Sequence, residues 1–315
     1  MARKRNRVVE AITFGAVWIF YHLTRISPLP LSRAVTIAIG RVALALVPRL
    51  HKVGMENLDL AYGDELSQAE KKRILQGAMD NMAIVAAEFS HTKTMAQRNF
   101  DGVISIEGVE HFDFSNSGVV AISSHKATWE WLAAGFVAEG IPTAEVVRPL
   151  DIPALNALVD RTRRFGGIET IPKDKASHEM ARLLSGRYIV GLLVDQSARN
   201  NAVPTTFFGQ PCWSTIGAAM VALRAGVPVH YVDNTRQPDG SYRMTVSPPI
   251  EVISTGNTAR DLQRITQTFQ DLAEEAIRRH PEQWLWFHRR WKQRDRLEQE
   301  WQERLAKADA KAGGA

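Results

Sequence analysis

Gly118-Val119-Val120-Ala121-Ile122-Ser123-Ser124-His125-Lys126-Ala127-Thr128-Trp129-Glu130-Trp131 decides how this chain reads. The apolar run 118–122 has the length and β-branched content of a buried strand, and Trp131 to Ala138 reads as a packed helix. His125 therefore stands where a strand leaves the sheet and a helix begins. Ser123, Ser124 and Thr128 are candidate caps for that helix, whose free N–H groups favour anions. An imidazole titrates near neutral pH, and a carboxylate close by can orient it and stabilise its charged form. Five positions along a helix turn a side chain by about 140°, so His125 and Glu130 converge only if His125 precedes the helix. A packed histidine beside a solvated glutamate fits the same spacing, and the residues alone leave both readings open.

Outward from this segment, strands and helices alternate. Strand candidates are Val103 to Gly108, Val119 to Ser123, Ala144 to Arg148, Ile168 to Ile171, Tyr188 to Val194 and Val227 to Asp233. Tyr242 to Val246 alternates as a strand near a sheet edge does. Helical runs are expected at 130–139, 152–164, 174–185 and 214–225, with a long last helix from Thr258 to Arg279. A further helix over 66–90 has Ser67 as its N-cap. The pattern is α/β: a mainly parallel layered sheet flanked by helices.

With 45% hydrophobic and 23% charged residues the chain can bury a large core. Its net charge of +5 suits anionic lipid, an acidic carrier protein or nucleic acid. No zinc-finger spacing, RNA-binding aromatic motif or long basic tract supports nucleic acid. The single cysteine, Cys212, excludes an internal disulfide and a multi-cysteine metal site. His178-Glu179-Met180-Ala181-Arg182 lacks a zincin's second histidine. There is neither a Gly-x-Ser-x-Gly elbow nor a P-loop, so neither a serine acyl-enzyme nor a bound nucleotide is indicated. No metal or cofactor is expected.

The beginning of the chain carries a membrane signal. Arg3, Lys4, Arg5 and Arg7 precede the apolar stretch Val8 to Leu23, which is at the short limit for a span. No small-residue cleavage site follows, so it reads as a retained anchor. A second apolar stretch, Ala34 to Val47, is bracketed and interrupted by Arg33, Arg41 and Arg49, as in an amphipathic helix lying in the interface. An ordinary pair of core helices remains the alternative.

Other candidates follow along the chain. Arg148 ends a strand and can hold a phosphate or carboxylate, and Arg161, Arg163 and Arg164 cluster one helix later. Asp195 and Gln196 follow a strand at the end where α/β proteins place their sites, although a turn-forming aspartate is equally ordinary there. Phe207-Phe208-Gly209 reads as an apolar loop before a helix start at Ser214-Thr215. That helix is rich in small residues, which permit close packing or leave a groove. Trp284, Trp286 and Trp291, interleaved with arginines and Lys292, have the composition of a lipid–water interface. The residues after about Trp301 read as a frayed tail.

The segment His125 to Glu130 resembles the His-x4-Asp/Glu motif of glycerolipid-type acyltransferases. From about Val8 to about Arg294 the chain is similar to one branch, the late (lauroyl/myristoyl) acyltransferases of lipid A biosynthesis. Val147-Arg148-Pro149-Leu150, Arg164-Phe165-Gly166, Leu193-Val194-Asp195-Gln196, Thr205 to Pro211 and Pro281 to Lys292 carry the resemblance in order and spacing. Between the membrane anchor and interfacial helix (1–50) and the flexible tail (301–315) read from composition, it implies an acyltransferase catalytic domain (51–300). It further implies His125 as general base oriented by Glu130. Arg148 and Arg164 would bind phosphate on the acceptor sugar or on a phosphopantetheine arm. Asp195 would pair with an arginine, with Gln196 beside it, and the small-residue helix would contact an acyl chain. The implied donor is fatty acyl on acyl carrier protein and the implied acceptor a lipid A precursor. The implied location is the bacterial inner membrane, with the domain on the cytoplasmic face. Relatives using acyl-CoA on lysophospholipids or phosphatidylinositol mannosides remain alternatives, as do a membrane-tethered thioesterase and a non-catalytic lipid-binding protein.

Overall fold

The structure is a computed structural model that describes residues 7–173 and 176–312. Arg3, Lys4 and Arg5, and the first residues of the helical run expected at 174–185, lie outside the described residues. Four helices come first: α1 (Arg7–Ile26), α2 (Leu29–Leu46), α3 (Pro48–Tyr62) and α4 (Gln68–Ala96). Ser67 starts α4 through a capping box. Its hydroxyl accepts the Glu70 amide, while the Glu70 carboxylate accepts the Ser67 amide at 2.8 Å.

Seven strands then form one sheet in the order β1-β9-β8-β2-β5-β3-β4. They are β1 (Ile104–Glu107), β2 (Val119–Ser123), β3 (Thr143–Val147), β4 (Glu169–Pro172), β5 (Ile189–Leu193), β8 (Val229–Arg236) and β9 (Tyr242–Val246). Every pairing is parallel except β8 with β9. The helices α5 (Trp129–Ala138), α6 (Pro153–Phe165), α7 (Ala176–Ser185), α8 (Gly217–Ala225) and α9 (Thr258–Arg279) cover it. This is the expected α/β architecture. All five residues of β2 are buried, because a central parallel strand is covered on both faces. Its alternate side chains serve two cores. Val120 and Ile122 pack towards α8 and α9, whereas Val119 and Ala121 pack towards Leu132 and Phe136 of α5.

Several expectations are corrected. The stretch 202–215 is an antiparallel hairpin, β6 (Ala202–Phe207) and β7 (Gln210–Thr215), rather than an apolar loop before a helix. Phe208 and Gly209 make its turn, with positive φ at both positions. Helix α8 accordingly starts at Gly217, and its Ala218, Ala219 and Ala222 are all buried, with Gly217 and Ala218 also bordering a cavity. A last helix, α10 (Asp295–Ala312), runs where a frayed tail was expected. It holds because Leu297 and Trp301 bury one face of an otherwise polar segment.

Trp284, Trp286 and Trp291 are also not at a surface. They are 1%, 0% and 8% exposed, in an aromatic cluster with Phe207 and Phe208. Arg290, at 0% exposed, bonds the Trp213 carbonyl, the Ser214 hydroxyl and the Gln270 side-chain oxygen. It is a structural cation held inside the protein through both terminal nitrogens, with its buried Nε left without a hydrogen-bond partner.

Helix α2 reverses the orientation its arginines suggest. Arg33 pairs with buried Glu88 of α4, and Arg41 makes a two-bond pair with Asp80 of α4. Small and polar residues face α4: a Cβ on Gly40 would lie 3.2 Å from Ala83, and Ser32 and Thr36 are buried. The large apolar residues Leu31, Val35, Ile39, Val42 and Leu46 point outward, joined on α1 by Trp18, Ile19 and Leu23. Helix α2 is also long and apolar enough to cross a membrane.

Candidate active site

Parallel register builds the site. β2 and β5 pair with Ser123 opposite Leu193, so the residues two positions beyond each strand end emerge side by side. Those residues are His125 and Asp195. The His125 ring Nδ1 lies 2.8 Å from Asp195 Oδ1, and the His125 amide donates to Asp195 Oδ2 at 2.8 Å. Trp284 Nε1–H donates to the same Oδ2 at 2.7 Å. Burial alone would raise the Asp195 carboxyl, but His125 and these donors outweigh it and hold it down at about 2. An ionised Asp195 fixes the imidazole tautomer: Nδ1 carries the proton and Nε2 presents its lone pair. That lone pair faces the Gln196 amide, whose Nε2 is 3.2 Å away.

His125 precedes α5, as convergence with a carboxylate requires, but the carboxylate is Asp195 rather than Glu130. Glu130 instead receives two hydrogen bonds from Arg163, at 2.9 and 3.0 Å. Asp195 likewise pairs with the imidazole and Trp284 rather than with an arginine. Arg163 also stands 3.7 Å from Glu145 of β3, whose pKa is raised by burial, with Arg163 opposing and Glu130 reinforcing the rise.

The loop carrying His125 is held from several sides. Ser123 donates to the Val232 carbonyl, and Ser124 bonds the Tyr231 hydroxyl. Thr128 occupies the N-cap position of α5 but makes no capping bond, so none of the three candidate caps acts as one. Lys126, only 1% exposed, places its ammonium 2.7 Å from both Asp233 and Thr235. Ala127 sits fully buried at φ 48°, a left-handed conformation that costs about 1 kcal/mol or more outside glycine.

The segment after α9 clamps that loop. A short 3-10 turn, Pro281–Gln283, leads into a β-bridge between Trp284 and Lys126. The Ala127 amide donates to the Gln283 carbonyl and the Leu285 amide to the His125 carbonyl. The amides of Lys126 and Ala127 beside the imidazole are thus already bonded, to the Ser124 and Gln283 carbonyls.

A cavity of about 1900 Å³ opens at this end of the sheet. His125, Gln196, Glu130, Arg163, Glu145 and Arg148 all border it. Ala121, Leu132 and Phe136 give it apolar wall on the α5 side, and Met220, Val221 and Leu262 on the other. Arg148 also pairs with Asp151 at 3.1 Å. Arg164 is separate: it lines a shallower hollow of about 570 Å³ with Arg161, Asn156 and Leu150.

Sequence reasoning passed over Glu145, Trp284 as a donor, and the role of Arg163. A lone carboxylate within Thr143-Ala144-Glu145-Val146-Val147 was a usable signal, since a charge is costly inside a strand. A second imidazole, His288, borders the same cavity and accepts the Ser197 amide on Nε2 at 3.1 Å. Burial lowers its pKa to about 4, so it stays neutral. Among the described residues no group of histidine, cysteine and acidic side chains could hold a metal ion.

An ionised carboxylate, an imidazole oriented by it and an adjoining cavity of mixed polar and apolar wall suit removal of a proton from a hydroxyl on an amphiphile. A family profile described as bacterial lipid A biosynthesis acyltransferase matches residues 2–293. The lipid A biosynthesis lauroyltransferase of Escherichia coli K12 is 23% identical over 289 residues, covering 89% of this chain and 90% of that one. A phosphatidylinositol mannoside acyltransferase of Mycobacterium tuberculosis is 24% identical over 204 residues, covering 62% and 61%. The crystal structure of the 1-acyl-sn-glycerophosphate acyltransferase PlsC from Thermotoga maritima superposes with a TM-score of 0.38 at 14% identity, over 79% of this chain and 97% of that one.

Proposed function

The chain belongs to the bacterial lipid A biosynthesis acyltransferase family, and from that premise we propose that it moves a fatty acyl group from an acyl carrier protein thioester to a hydroxyl of a lipid A precursor. Acyl transfer to a lipid is the activity its relatives share. In the proposed reaction the acceptor hydroxyl gives its proton to His125 Nε2 while its oxygen attacks the thioester carbonyl carbon. The carbon–sulfur bond then breaks, and the imidazolium returns the proton to the leaving thiolate. Asp195 keeps Nδ1–H in place and stabilises the transient imidazolium. Base catalysis of this kind contributes about 10²–10⁴ in rate.

One observation carries the reading: the 2.8 Å contact of His125 Nδ1 with a buried, ionised Asp195, which leaves Nε2 directed at the cavity side. Glu130 is assigned to holding Arg163 on the cavity wall. Arg148 at the cavity and Arg164 in the neighbouring hollow are proposed to meet phosphate groups of the substrates. The outward apolar face of α1 and α2 is proposed to lie in the inner membrane, with the catalytic domain on its cytoplasmic face. The inward pairing of Arg33 and Arg41 with α4 favours this over a span, because a spanning α2 would strip Glu88 and Asp80 of their partners.

The phosphatidylinositol mannoside relative supports a second reading, in which acyl-CoA is the donor and a mannosylated phospholipid the acceptor. Purified protein given each labelled donor with each acceptor, and its products weighed by mass spectrometry, separates the two. His125→Ala is expected to lose nearly all transfer while still sedimenting with vesicles. Turnover of that variant at the parent's rate removes the base assignment.

A further inference from the structure

We propose that Gln196 is a gate on the general base, covering its reactive nitrogen until the acceptor lipid displaces it, so that a bound thioester is not lost to water. The proposal rests on His125 being the base. It adds the device that decides which hydroxyl the base serves.

The geometry of residues 195–197 carries it. Asp195 is 1% exposed and fixed by three hydrogen bonds. The Ser197 amide is fixed on His288 Nε2, and burial keeps that imidazole neutral. Between these two anchored neighbours Gln196 is exposed. The 3.2 Å contact of its amide with His125 Nε2 is the one hydrogen bond recorded for its side chain among the described residues. With Nδ1–H committed to Asp195, Nε2 has a single lone pair, and the amide N–H occupies it. A hydroxyl can reach that lone pair only by replacing the amide. The Gln196 side chain can then rotate into the cavity without disturbing Asp195 or Ser197.

The chemistry gives this consequence. His125 keeps 18% of its side chain exposed, and the cavity of about 1900 Å³ is roomy enough for water. An uncovered Nε2 would take a proton from water as readily as from a lipid alcohol. The water oxygen would bond to the thioester carbon, the carbon–sulfur bond would break, and the thiolate would recover the proton from the imidazolium. The products are a free fatty acid and a free thiol. Water competes for the lone pair with its hydrogen bond alone. A lipid acceptor brings the binding energy of its chains and headgroup, which can be used to dislodge the amide.

The test measures acyl transfer and fatty acid release side by side, with the full-length protein in detergent and a labelled acyl thioester, with and without acceptor lipid. Gln196→Ala is expected to raise the ratio of hydrolysis to transfer about fivefold, the factor equivalent to one neutral hydrogen bond of about 1 kcal/mol. Gln196→Asn, one methylene too short to reach, should behave alike. Gln196→Glu places a carboxylate against Nε2 and favours the imidazolium, so the acid limb of the hydrolysis profile should move about one to three pH units higher. An unchanged or lower ratio in both shortened variants, or an unmoved acid limb in Gln196→Glu, overturns the gate. His125→Ala separates the two levels of the argument. If it abolishes hydrolysis and transfer while the Gln196 variants do not alter their ratio, the gate alone is wrong. If it retains both reactions, the base assignment fails first.

Discussion

Replacing Asp195 by asparagine tests the central pairing with little change of shape. The parent carboxylate accepts the His125 ring N–H, the His125 amide and the Trp284 indole N–H. An amide offers one oxygen and one NH₂ group. If the oxygen keeps the two donors on the Oδ2 side, the NH₂ meets Nδ1, and the imidazole must put its proton on Nε2 to accept it. The tautomer is then wrong for a base facing the cavity. The expected loss in kcat is about 10²–10⁴, the whole contribution of base catalysis. Stability should respond too. A carboxyl held at about 2 instead of 3.8 is worth about 2 kcal/mol near neutral pH. Because the folded value is the lower one, that stability is present above the ordinary carboxylate range and is lost as pH falls through about 2. Asp195→Asn should therefore unfold at lower urea concentration at pH 7, with the gap from the parent closing in strong acid. The paired assay is transfer kinetics for Asp195→Asn and Glu130→Gln, the latter removing charge from Arg163's partner. If Glu130→Gln shifts the acid limb of the rate profile while Asp195→Asn transfers acyl groups within about threefold of the parent, Asp195 is not the group that orients His125.

Trp284→Phe keeps an aromatic ring but deletes the indole donor to Asp195 together with part of the buried ring. A hydrogen bond to a charged group is worth about 1.5–3 kcal/mol and the lost ring atoms add a cavity cost, so urea unfolding should report a loss of at least that size, with a rate defect smaller than that of Asp195→Asn. On α2, Ile39→Glu and Leu46→Glu put charge on the outward face without touching the α4 contact. Vesicle sedimentation should fall strongly for the double variant while its thermal unfolding in detergent stays near the parent's, and undiminished sedimentation would refute membrane docking by this face.

Most of the layer architecture was legible along the chain, since strand and helix periods are local properties of ten or so neighbours. The runs at 119–123, 242–246 and 258–279 have the bounds their patterns suggested. The Ser67 cap was also readable, because a capping box spans only four residues. The hairpin at 202–215 was hidden by its prolines and aromatics, and α10 by its polar composition, because each is stabilised by what it packs against. The same limit applied to faces. Arginines along α2 suggested a polar side for headgroups, yet Glu88 and Asp80 on α4 claim two of them from within the protein.

At the site, residue types disclosed that an imidazole stood at the exit of a strand with carboxylates available. Which carboxylate reaches it depends on the pairing of β2 with β5, a register between segments 70 positions apart that no local pattern encodes. Spacing within one segment is a property of the chain. Contact between segments follows from hydrogen-bonded register and packing, and these come into existence only when the chain has folded.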